Sequence, residues 1–421
     1  MIWQRTTCDL ERVDANGTRG TLIQGDALTI DLSDYAGRVQ CVYLDPPFFT
    51  GERFSFRMRV GEMGWRQGKR VIQLPAYNDF AGADREQYLA FLSALLHRAH
   101  KLLNERGSLF LHVDYRISAH ARLLCDAIFG EEQFRNEIIW SYQTGGRSVR
   151  YFSRKHDTIF FYAKSKQHFF DITQVPCQRK EQRSNHLKRH VDKDGRTYRS
   201  IKSGGKTYVY YDDEPAYPDD VWTDLSQMQQ KYPQRTGYAT QKPIPLMDRI
   251  ILCSTRAGDL VADLVCGSGS TLRSAANLGR PFLGVDASRH AFSVCRKRLF
   301  DTQLSCVAPL STVPAMLDAS VLPGIGFYVV TLNAYTLPGD AFDRYADQLG
   351  DHPVLSLEAV DQWHAGLING DTFVSYATGA RKKESPRLPT ELSVPLLRGT
   401  VAILLIDVLG NRTLWAASGA L

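Results

Sequence analysis

The sequence has few features of an exported, membrane-bound or metal-binding protein. Its eight cysteines are scattered and form no C-x-x-C pair, which disfavours a disulfide framework and a zinc site and favours reduced thiols. No apolar run is long enough to span a bilayer, and the first residues lack the apolar core of a signal peptide. A clear cluster of metal-binding carboxylates is also missing. We therefore expect a cytoplasmic protein that holds no metal and is not a nuclease.

The chain has no strong excess of either charge. Lysine and arginine number 51 against 45 aspartates and glutamates, so the formal net charge is +6. This mildly basic balance permits a nucleic-acid partner without requiring one. Charged residues make up 23% and hydrophobic residues 43% of the 421 positions, as in ordinary globular proteins. The length allows two or three domains.

The most informative motif follows a buried apolar run. Val39–Leu44 is predicted to be a strand, and Asp45, Pro46, Pro47 and Phe48 stand at its carboxyl end, where catalytic groups gather in open α/β sheets. A carboxylate can accept a hydrogen bond from the exocyclic amine of a base. The two prolines stiffen the turn, and the aromatic ring offers a face on which a base can stack. On its own the motif is equally consistent with a strand that ends in a proline turn.

A second motif suggests a nucleoside-containing cofactor. A short strand ending at Asp263 runs into a loop with Gly267 and Gly269, then a helical stretch, then the strand Pro281–Asp286. Glycines allow a ligand to approach the backbone, and a helix N-terminus favours a negative group. Asp286 stands where an acidic side chain commonly holds ribose hydroxyls. The loop lacks the Gly-Lys-Ser/Thr of a P-loop and the glycine order expected for NAD or FAD.

Together these segments resemble the β-class amino-methyltransferases of DNA, which use S-adenosylmethionine. In that family a tetrad of Asp, Asn or Ser, two prolines and an aromatic residue precedes the cofactor loop, as it does here. A T-Q-K-P element, here within 236–243, comes just before the loop. Phe134–Trp140 followed by Arg154–Asp157 is typical of the subgroup that includes the modification (Mod) subunits of type III restriction systems. The resemblance covers roughly residues 20–300.

The resemblance implies roles for individual residues. The tetrad Asp45, Pro46, Pro47 and Phe48 would be catalytic and hold the target amine. The residues that would bind the cofactor are Asp26, Gln241, Lys242, Asp263, Cys266, Gly267, Ser268, Gly269, Thr271 and Asp286. The loop departs from the family pattern at Leu264 and Val265, where proline is usual, and at Ser270, where threonine is usual. A serine hydroxyl can still cap the start of the helix.

The implied fold is α/β. We expect a Rossmann-like methyltransferase fold with a mostly parallel seven-stranded sheet, split into a catalytic half (1–163) and a cofactor-binding half (236–310). Between them a target-recognition region (164–235) is expected, and a small α+β domain (311–421) follows. Residues 49–83 are predicted to be a long substrate-facing loop that orders on DNA, and Asp84 is predicted to cap a helix that runs to Glu105.

The region 164–235 is rich in basic residues with interleaved tyrosines, which favours contact with DNA phosphates. The candidate DNA-binding residues are Arg179, Lys180, Arg183, Lys188, Arg189, Arg196 and Arg199. A solvated surface insertion is the competing interpretation. His186 and His190 have i, i+4 spacing, but no further suitable ligands stand nearby, so no metal site is predicted.

The predicted reaction is methyl transfer to the N6 amine of an adenine that is flipped out of double-stranded DNA. The adenine preference rests on Asp45, because cytosine N4 enzymes of this family more often carry Ser at that position. Cytosine N4 methylation stays open. So does a catalytically silent DNA-binding subunit of a restriction-modification complex. A homodimer and a restriction-system partner subunit are further expectations from the resemblance.

Overall fold

Buried apolar runs form the strands, and amphipathic runs form the helices. The computed structural model describes residues 2–14, 18–142, 148–177, 188–228, 235–238, 240–350 and 353–418. Its strands, in chain order, are β1 (Ile2–Thr6), β2 (Leu10–Val13), β3 (Arg19–Gln24), β4 (Val39–Leu44), β5 (Arg53–Arg59), β6 (Val71–Asn78), β7 (Leu103–Val113), β8 (Phe134–Ser141), β9 (His156–Ala163), β10 (Arg189–Val191), β11 (Thr197–Ser203), β12 (Lys206–Tyr211), β13 (Val221–Trp222), β14 (Val261–Asp263), β15 (Phe282–Asp286), β16 (Gln303–Val307), β17 (Met316–Pro323), β18 (Phe327–Thr336), β19 (Val360–Asn369), β20 (Thr372–Ala380), β21 (Glu391–Pro395), β22 (Thr400–Asp407) and β23 (Arg412–Ser418). Its α-helices are α1 (Gly61–Arg66), α2 (Arg85–Leu102), α3 (Ser118–Phe129), α4 (Ile244–Ser254), α5 (Ser270–Asn277), α6 (Arg289–Arg298) and α7 (Ala346–Leu349).

One large mixed sheet organises the molecule. Fifteen strands form it, in the order β1-β23-β22-β19-β20-β2-β16-β3-β15-β14-β4-β7-β9-β8-β13. Its centre is parallel, since β16, β3, β15, β14, β4 and β7 all run in one direction. β9 then lies antiparallel between β7 and β8. The predicted α/β class is confirmed, but the sheet as a whole is mixed rather than mostly parallel.

The predicted count of seven strands is wrong, because the sheet continues past its parallel centre. β2 pairs antiparallel with β16 and carries β20 on its other edge. The described residues beyond 310 hold the seven strands β17 to β23 and, as their one α-helix, the four-residue α7. They therefore lack the α+β character that we expected. Sheet continuity depends on which strand edges meet, and a single sequence does not show this.

A buried ion-pair cluster ties the C-terminal strands to the parallel centre. Glu11 on β2 lies 2.7 Å from the guanidinium of Arg296 on α6 and 2.7 Å from that of Arg412 on β23. All three side chains are almost fully buried. Burial opposes ionisation of Glu11, but the two arginine charges outweigh it and lower the pKa of this carboxyl to about 2. The cluster joins segments that are nearly the whole chain apart.

Residues 49–83 differ from the predicted loop. β5 and β6 pair antiparallel as a hairpin, with α1 between them. Alternate residues such as Phe56 and Leu74 are buried, in a cluster that also contains Tyr238 and Leu409. The period-two alternation that marks a half-buried strand was present in the sequence but was obscured by the glycines and arginines around it. The hairpin is therefore part of the fold rather than a long loop.

The helix that follows the hairpin begins as predicted. Asp84 caps α2, its carboxylate accepting a hydrogen bond of 2.8 Å from the backbone N–H of Gln87. The helix ends at Leu102 rather than Glu105, because Leu103 already enters β7. Its buried face packs on the sheet.

Within the region 164–235, β10, β11 and β12 form a separate three-stranded antiparallel sheet.

All eight cysteines are free. Within the described ranges, no group of three or more His, Cys, Asp or Glu side chains is arranged to hold a metal ion. The described helices also include none with the length and apolarity that a membrane crossing requires.

Candidate active site

The tetrad lies where neighbouring strands end. Asp45 directly follows β4, which pairs in parallel with β7 on one side and with β14 on the other. Because the carboxyl ends of parallel strands meet at one edge of a sheet, the loop that begins at Leu264 after β14 comes close to the tetrad. A cavity of about 240 Å³ separates the two segments.

This cavity brings together most of the residues predicted for catalysis and cofactor binding. Those that line it are Asp26, Asp45, Pro46, Pro47, Phe48, Lys242, Asp263, Cys266, Gly267, Ser268, Thr271 and Asp286. The four motifs from which they come are spread over more than two hundred residues of sequence. Their convergence follows from the parallel arrangement of β4, β14, β15 and β3.

Two predicted cofactor residues lie outside the cavity lining. Gln241 lines a neighbouring cavity of about 180 Å³, and its Oε1 accepts hydrogen bonds of 2.8 Å from the N–H and the hydroxyl of Thr236. Gly269 faces α6, where an added Cβ would come within 2.7 Å of the Cys295 sulfur. Direct cofactor contact is therefore not supported for these two residues, which shape the loop and its flank instead.

The carboxylate of Asp45 is held by a lysine. The Lys242 Nζ donates to both Asp45 oxygens, at 2.7 and 2.6 Å, and the two side chains are only 13% and 17% exposed. The same ammonium lies 5.0 Å from the centroid of the Phe48 ring. Lys242 was predicted to bind the cofactor. Its contacts instead place its charge against the two tetrad side chains that were predicted to hold the target base.

A buried polar network supports the tetrad ring. The Phe48 ring packs on His112, with 5.7 Å between the ring centroids. His112 is fully buried; its Nδ1 lies 2.8 Å from the Tyr43 hydroxyl and its Nε2 lies 3.2 Å from Asp157. The Tyr142 hydroxyl donates to the other Asp157 oxygen at 3.0 Å. The network packs against one face of the Phe48 ring, so His112 has a structural role here.

Two side chains outside the motifs fix the backbone of the tetrad. The Tyr88 hydroxyl on α2 donates to the Pro47 carbonyl at 2.8 Å. Asp79, just after β6, accepts hydrogen bonds of 2.8 and 3.0 Å from the backbone N–H groups of Phe49 and Thr50. These bonds hold Phe49 at φ +56°, which few non-glycine residues adopt. No sequence motif identified either residue, although an aspartate directly after a strand is a weak signal.

The glycine loop is anchored by the aspartate at the end of the next strand. One oxygen of Asp286 accepts from the Gly267 N–H and the other from the Ser288 N–H, both at 2.8 Å. Burial raises the pKa of Asp286 to about 6, although these two hydrogen bonds favour the charged form. Gly267 has φ +50°, and a Cβ there would lie 3.3 Å from the Tyr238 ring. The positive φ and the close Tyr238 ring both favour glycine at this position.

The first aspartate of the loop is also internally bonded. Asp263 accepts from the Thr271 hydroxyl at 2.7 Å and from the Val265 N–H at 3.1 Å. Burial raises its pKa to about 7. Asp26, which also lines the cavity, accepts from the Leu28 N–H at 2.9 Å. These carboxylates fix the loops and also make the cavity wall acidic.

The cavity also has an aromatic wall that the motifs did not predict. Phe54 and Tyr77 come from β5 and β6, and their rings stack 4.9 Å apart at 20°. Tyr238, from the element before the loop, completes the wall. The two hairpin residues were missed because the segment that carries them was taken for a loop.

Those predicted DNA-binding residues that the structure describes lie outside the cavity lining. Arg179, Lys180 and Arg183 fall outside the described residues, and so does His186. Lys188 is exposed just before β10. Arg189 and Arg199 form ion pairs with Asp212, and Arg196 binds both oxygens of Asp213 at 2.8 Å. The acidic partners reduce the positive charge that this small sheet presents.

Comparison with known proteins gives a family match over the same segments. The model of the N6_N4_Mtase family, described as DNA methylase, matches residues 39–297. This range contains the tetrad, the T-Q-K-P element, the glycine loop and the strand that ends at Asp286, so it includes almost the whole lining of the cavity.

Three relatives are similar over more than half of the chain. The type II methyltransferase M.EcaI of Enterobacter cloacae is 26% identical over 62% of this chain and 64% of its own. The DNA adenine methyltransferase YhdJ of Escherichia coli is 24% identical, over 70% of this chain and 87% of its own. The EcoPI Mod subunit of a type III restriction-modification enzyme, from Escherichia phage P1, is 21% identical over 69% of this chain and 62% of its own length. The chain thus spans less than two thirds of M.EcaI and of the Mod subunit.

Proposed function

Because the chain belongs to the DNA methylase family, we propose that it methylates double-stranded DNA at defined sites. The proposed reaction transfers a methyl group from S-adenosylmethionine to the exocyclic N6 amine of an adenine that has left the base stack. The S–CH3 bond breaks to leave the thioether S-adenosylhomocysteine, and the amine nitrogen gives up one proton. One observation carries the proposal. A single cavity is lined on one side by the Asp45 carboxylate and the Phe48 ring, and on the other by the glycine loop and Asp286.

The residues of the cavity fit this cofactor. Bound S-adenosylmethionine would supply an activated methyl group. Gly267 lines the cavity and has no side chain to separate the loop backbone from a ligand there. A carboxylate offers about four acceptor positions, and the two N–H groups on Asp286 use two of them. Asp286 therefore keeps capacity for ribose hydroxyls, while Phe54 and Tyr77 provide an apolar wall.

The tetrad residues would hold and orient the amine. In the proposed mechanism, Asp45 and the Pro46 carbonyl accept hydrogen bonds from the N–H groups of the base, which directs the nitrogen lone pair at the methyl group. Tyr88 already bonds the Pro47 carbonyl, so Pro46 is the proline assigned to the amine. Phe48 would stack on the base. Positioning of this kind can supply a large part of a rate enhancement.

Lys242 has a specific role in this mechanism. Its ammonium contacts both oxygens of Asp45 and lies over the Phe48 ring, which are the groups assigned to the base. We infer that the lysine orients the carboxylate while the site is empty of DNA and moves aside when the amine arrives. Its hydrogen bonds to Asp45 are then replaced by those of the amine, so the carboxylate stays bonded throughout.

Adenine is the proposed base, and cytosine N4 is the alternative. The adenine proposal rests on Asp45 and is supported by the similarity to YhdJ, which is named a DNA adenine methyltransferase. An exocyclic cytosine amine could use the same two acceptors. The alternative from another class is a catalytically silent DNA-binding subunit.

One experiment separates these possibilities. Unmethylated amplified genomic DNA is incubated with the protein and with S-adenosylmethionine that carries a deuterated methyl group, and the nucleosides are analysed by mass spectrometry. Labelled N6-methyladenine supports the proposal, and labelled N4-methylcytosine supports the alternative base. Label in neither nucleoside, with binding of the DNA intact, would favour the silent subunit. Sequencing of the modified DNA then maps the site.

The DNA-binding role of the region 164–235 is part of the proposal. Lys188, Arg189 and Arg199 would contact phosphates, so neutralising each of them should weaken binding and make it less dependent on salt. We also propose a homodimer and a restriction-system partner subunit. Light scattering of the purified protein, alone and with the candidate partner, tests both.

A further inference from the structure

A short segment on the active-site edge of the sheet exposes large apolar side chains. Residues 148–155, here called the rim segment, precede β9. Val149 is 99% exposed and Phe152 is 97% exposed. Such exposure of an aromatic side chain in water is unfavourable, and exposed apolar groups often mark a contact surface. The position of the rim segment, its anchoring contacts and its charge together indicate the partner that these side chains contact.

The rim segment lies at the same edge as the tetrad. β9 pairs antiparallel with β7, which brings Thr158 opposite Val113, and β8 brings Ser141 opposite His156. Since β7 runs parallel to β4, the connection from β8 to β9 leaves the sheet at the end where Asp45 stands. The Tyr142 N–H still bonds the Lys155 carbonyl at 2.9 Å, so the base of the segment is fixed to the sheet.

The segment is held in shape by local contacts. The Arg154 guanidinium lies 4.0 Å from the Tyr115 ring and 4.8 Å from the Tyr151 ring, and it donates to the Tyr115 hydroxyl at 2.6 Å. The Ser148 N–H donates to the Ser153 hydroxyl at 3.3 Å and closes the turn. Phe152 therefore projects from an anchored turn, with bonded residues on both sides of it.

The charge around the turn identifies the partner. The rim segment contains Arg150, Arg154 and Lys155 and no acidic residue. Basic side chains that flank an apolar projection are the combination with which proteins hold DNA phosphates and insert a side chain between base steps. A protein partner would not require this charge. The chemistry favours duplex DNA.

We propose that Phe152 is a wedge that enters the base stack of duplex DNA as the target base leaves it, while Arg150 contacts the adjacent phosphates. The inference rests on the proposed function and adds to it a residue that opens the duplex. The wedge stabilises the gap that the flipped base leaves. It contacts neither the cofactor nor the reacting amine, so it acts before methyl transfer.

The test uses two duplexes that carry the mapped site. One is fully paired, and in the other the target base faces an abasic position and is already unstacked. Single-turnover methyl transfer is measured for the wild type, Phe152→Ala, Phe152→Trp and Ile325→Ala. The last is a matched control, because Ile325 is 98% exposed in the turn between β17 and β18. Thermal melting checks that each variant is folded.

We expect Phe152→Ala to lose at least about tenfold in rate on the paired duplex and to recover most of it on the duplex with the abasic position. Phe152→Trp and Ile325→Ala should stay close to wild type on both. An equal loss on the two duplexes is what a protein-docking or structural role of Phe152 would give. That result, or no loss on either duplex, would overturn the wedge inference but not the proposed function. A wild-type protein that methylates neither duplex would overturn the proposed function and this inference with it.

Discussion

The ion pair between Asp45 and Lys242 allows a quantitative prediction. Asp45→Asn preserves the size of the side chain but removes its charge. In the proposed mechanism the carboxylate accepts a hydrogen bond from the target amine, and hydrogen bonds to charged groups are worth about 1.5–3 kcal/mol. If the amide keeps no equivalent bond in the transition state, the rate constant should fall about 10- to 150-fold, since each 1.36 kcal/mol is a factor of about ten.

The assay is single-turnover methyl transfer with saturating cofactor, combined with calorimetry of S-adenosylmethionine binding. We expect the rate to fall while the cofactor affinity stays within about twofold, because a bond of this size is lost only in the methyl-transfer step. The methyl-transfer rate of Asp45→Ala should fall further than that of Asp45→Asn, since alanine also lacks the side-chain oxygen that asparagine keeps. Asp224→Asn is the control, because Asp224 also pairs with a buried cation, Arg249, outside the cavity. A rate for Asp45→Asn equal to that of the wild type would refute the role given to this carboxylate.

Three further predictions follow from single contacts. Burial raises the pKa of Asp286 to about 6, so affinity for S-adenosylmethionine in calorimetry should fall as pH drops below about 6, where the neutral carboxyl accepts ribose hydroxyls less well. Asp286→Asn should bind the cofactor weakly at all pH values. Tyr88→Phe removes one hydrogen bond from the tetrad backbone and should lower the methyl-transfer rate about two- to tenfold. Glu11→Gln leaves Arg296 and Arg412 buried without a countercharge and should cost about 3–5 kcal/mol of unfolding free energy in urea titrations.

Each of these has a distinct contradicting outcome. Cofactor affinity that does not change between about pH 7 and pH 5 would remove Asp286 from the ribose site. A reduced cofactor affinity in Tyr88→Phe would show that the tyrosine acts on the loop rather than on the tetrad. The lowered pKa of Glu11 means that its stabilising effect is complete above its ordinary value of 4.5 and declines as pH falls towards about 2. The difference in stability between Glu11→Gln and the wild type should shrink over that range, and a constant difference would contradict the ion-pair account.

The sequence predicted the parts of the site that depend on local geometry. A buried strand that ends in Asp45 and two prolines, and a strand followed by a glycine turn and a helix, each have a local pattern that the fold does not override. The parallel order of such units then brings their carboxyl ends together. This is why the cavity lining was largely predictable although its residues lie far apart in the chain.

The sequence did not show which residues of a motif face the cavity. Gln241 and Gly269 belong to recognisable motifs, but Gln241 bonds Thr236 and Gly269 packs on Cys295. A motif shows which residues occur together, and it does not show which of them face the ligand. Lys242 illustrates the same limit, since its partner Asp45 is almost two hundred residues away. The extended sheet was missed for the related reason that edge pairing depends on long-range register.

The support of the tetrad extends as far as the C-terminal strands. Asp79 fixes the backbone after Phe48 and stands at the end of β6. The hairpin that contains β6 is in turn bound to the C-terminal part of the chain, because the Arg70 guanidinium lies 2.9 Å from Glu358 and the hairpin packs against Leu409. Since Asp79 holds Phe49 in a strained conformation, movement of the hairpin would release the turn that presents Asp45. The C-terminal strands therefore contribute to the geometry of the cavity around Asp45, although they supply no residue to its lining.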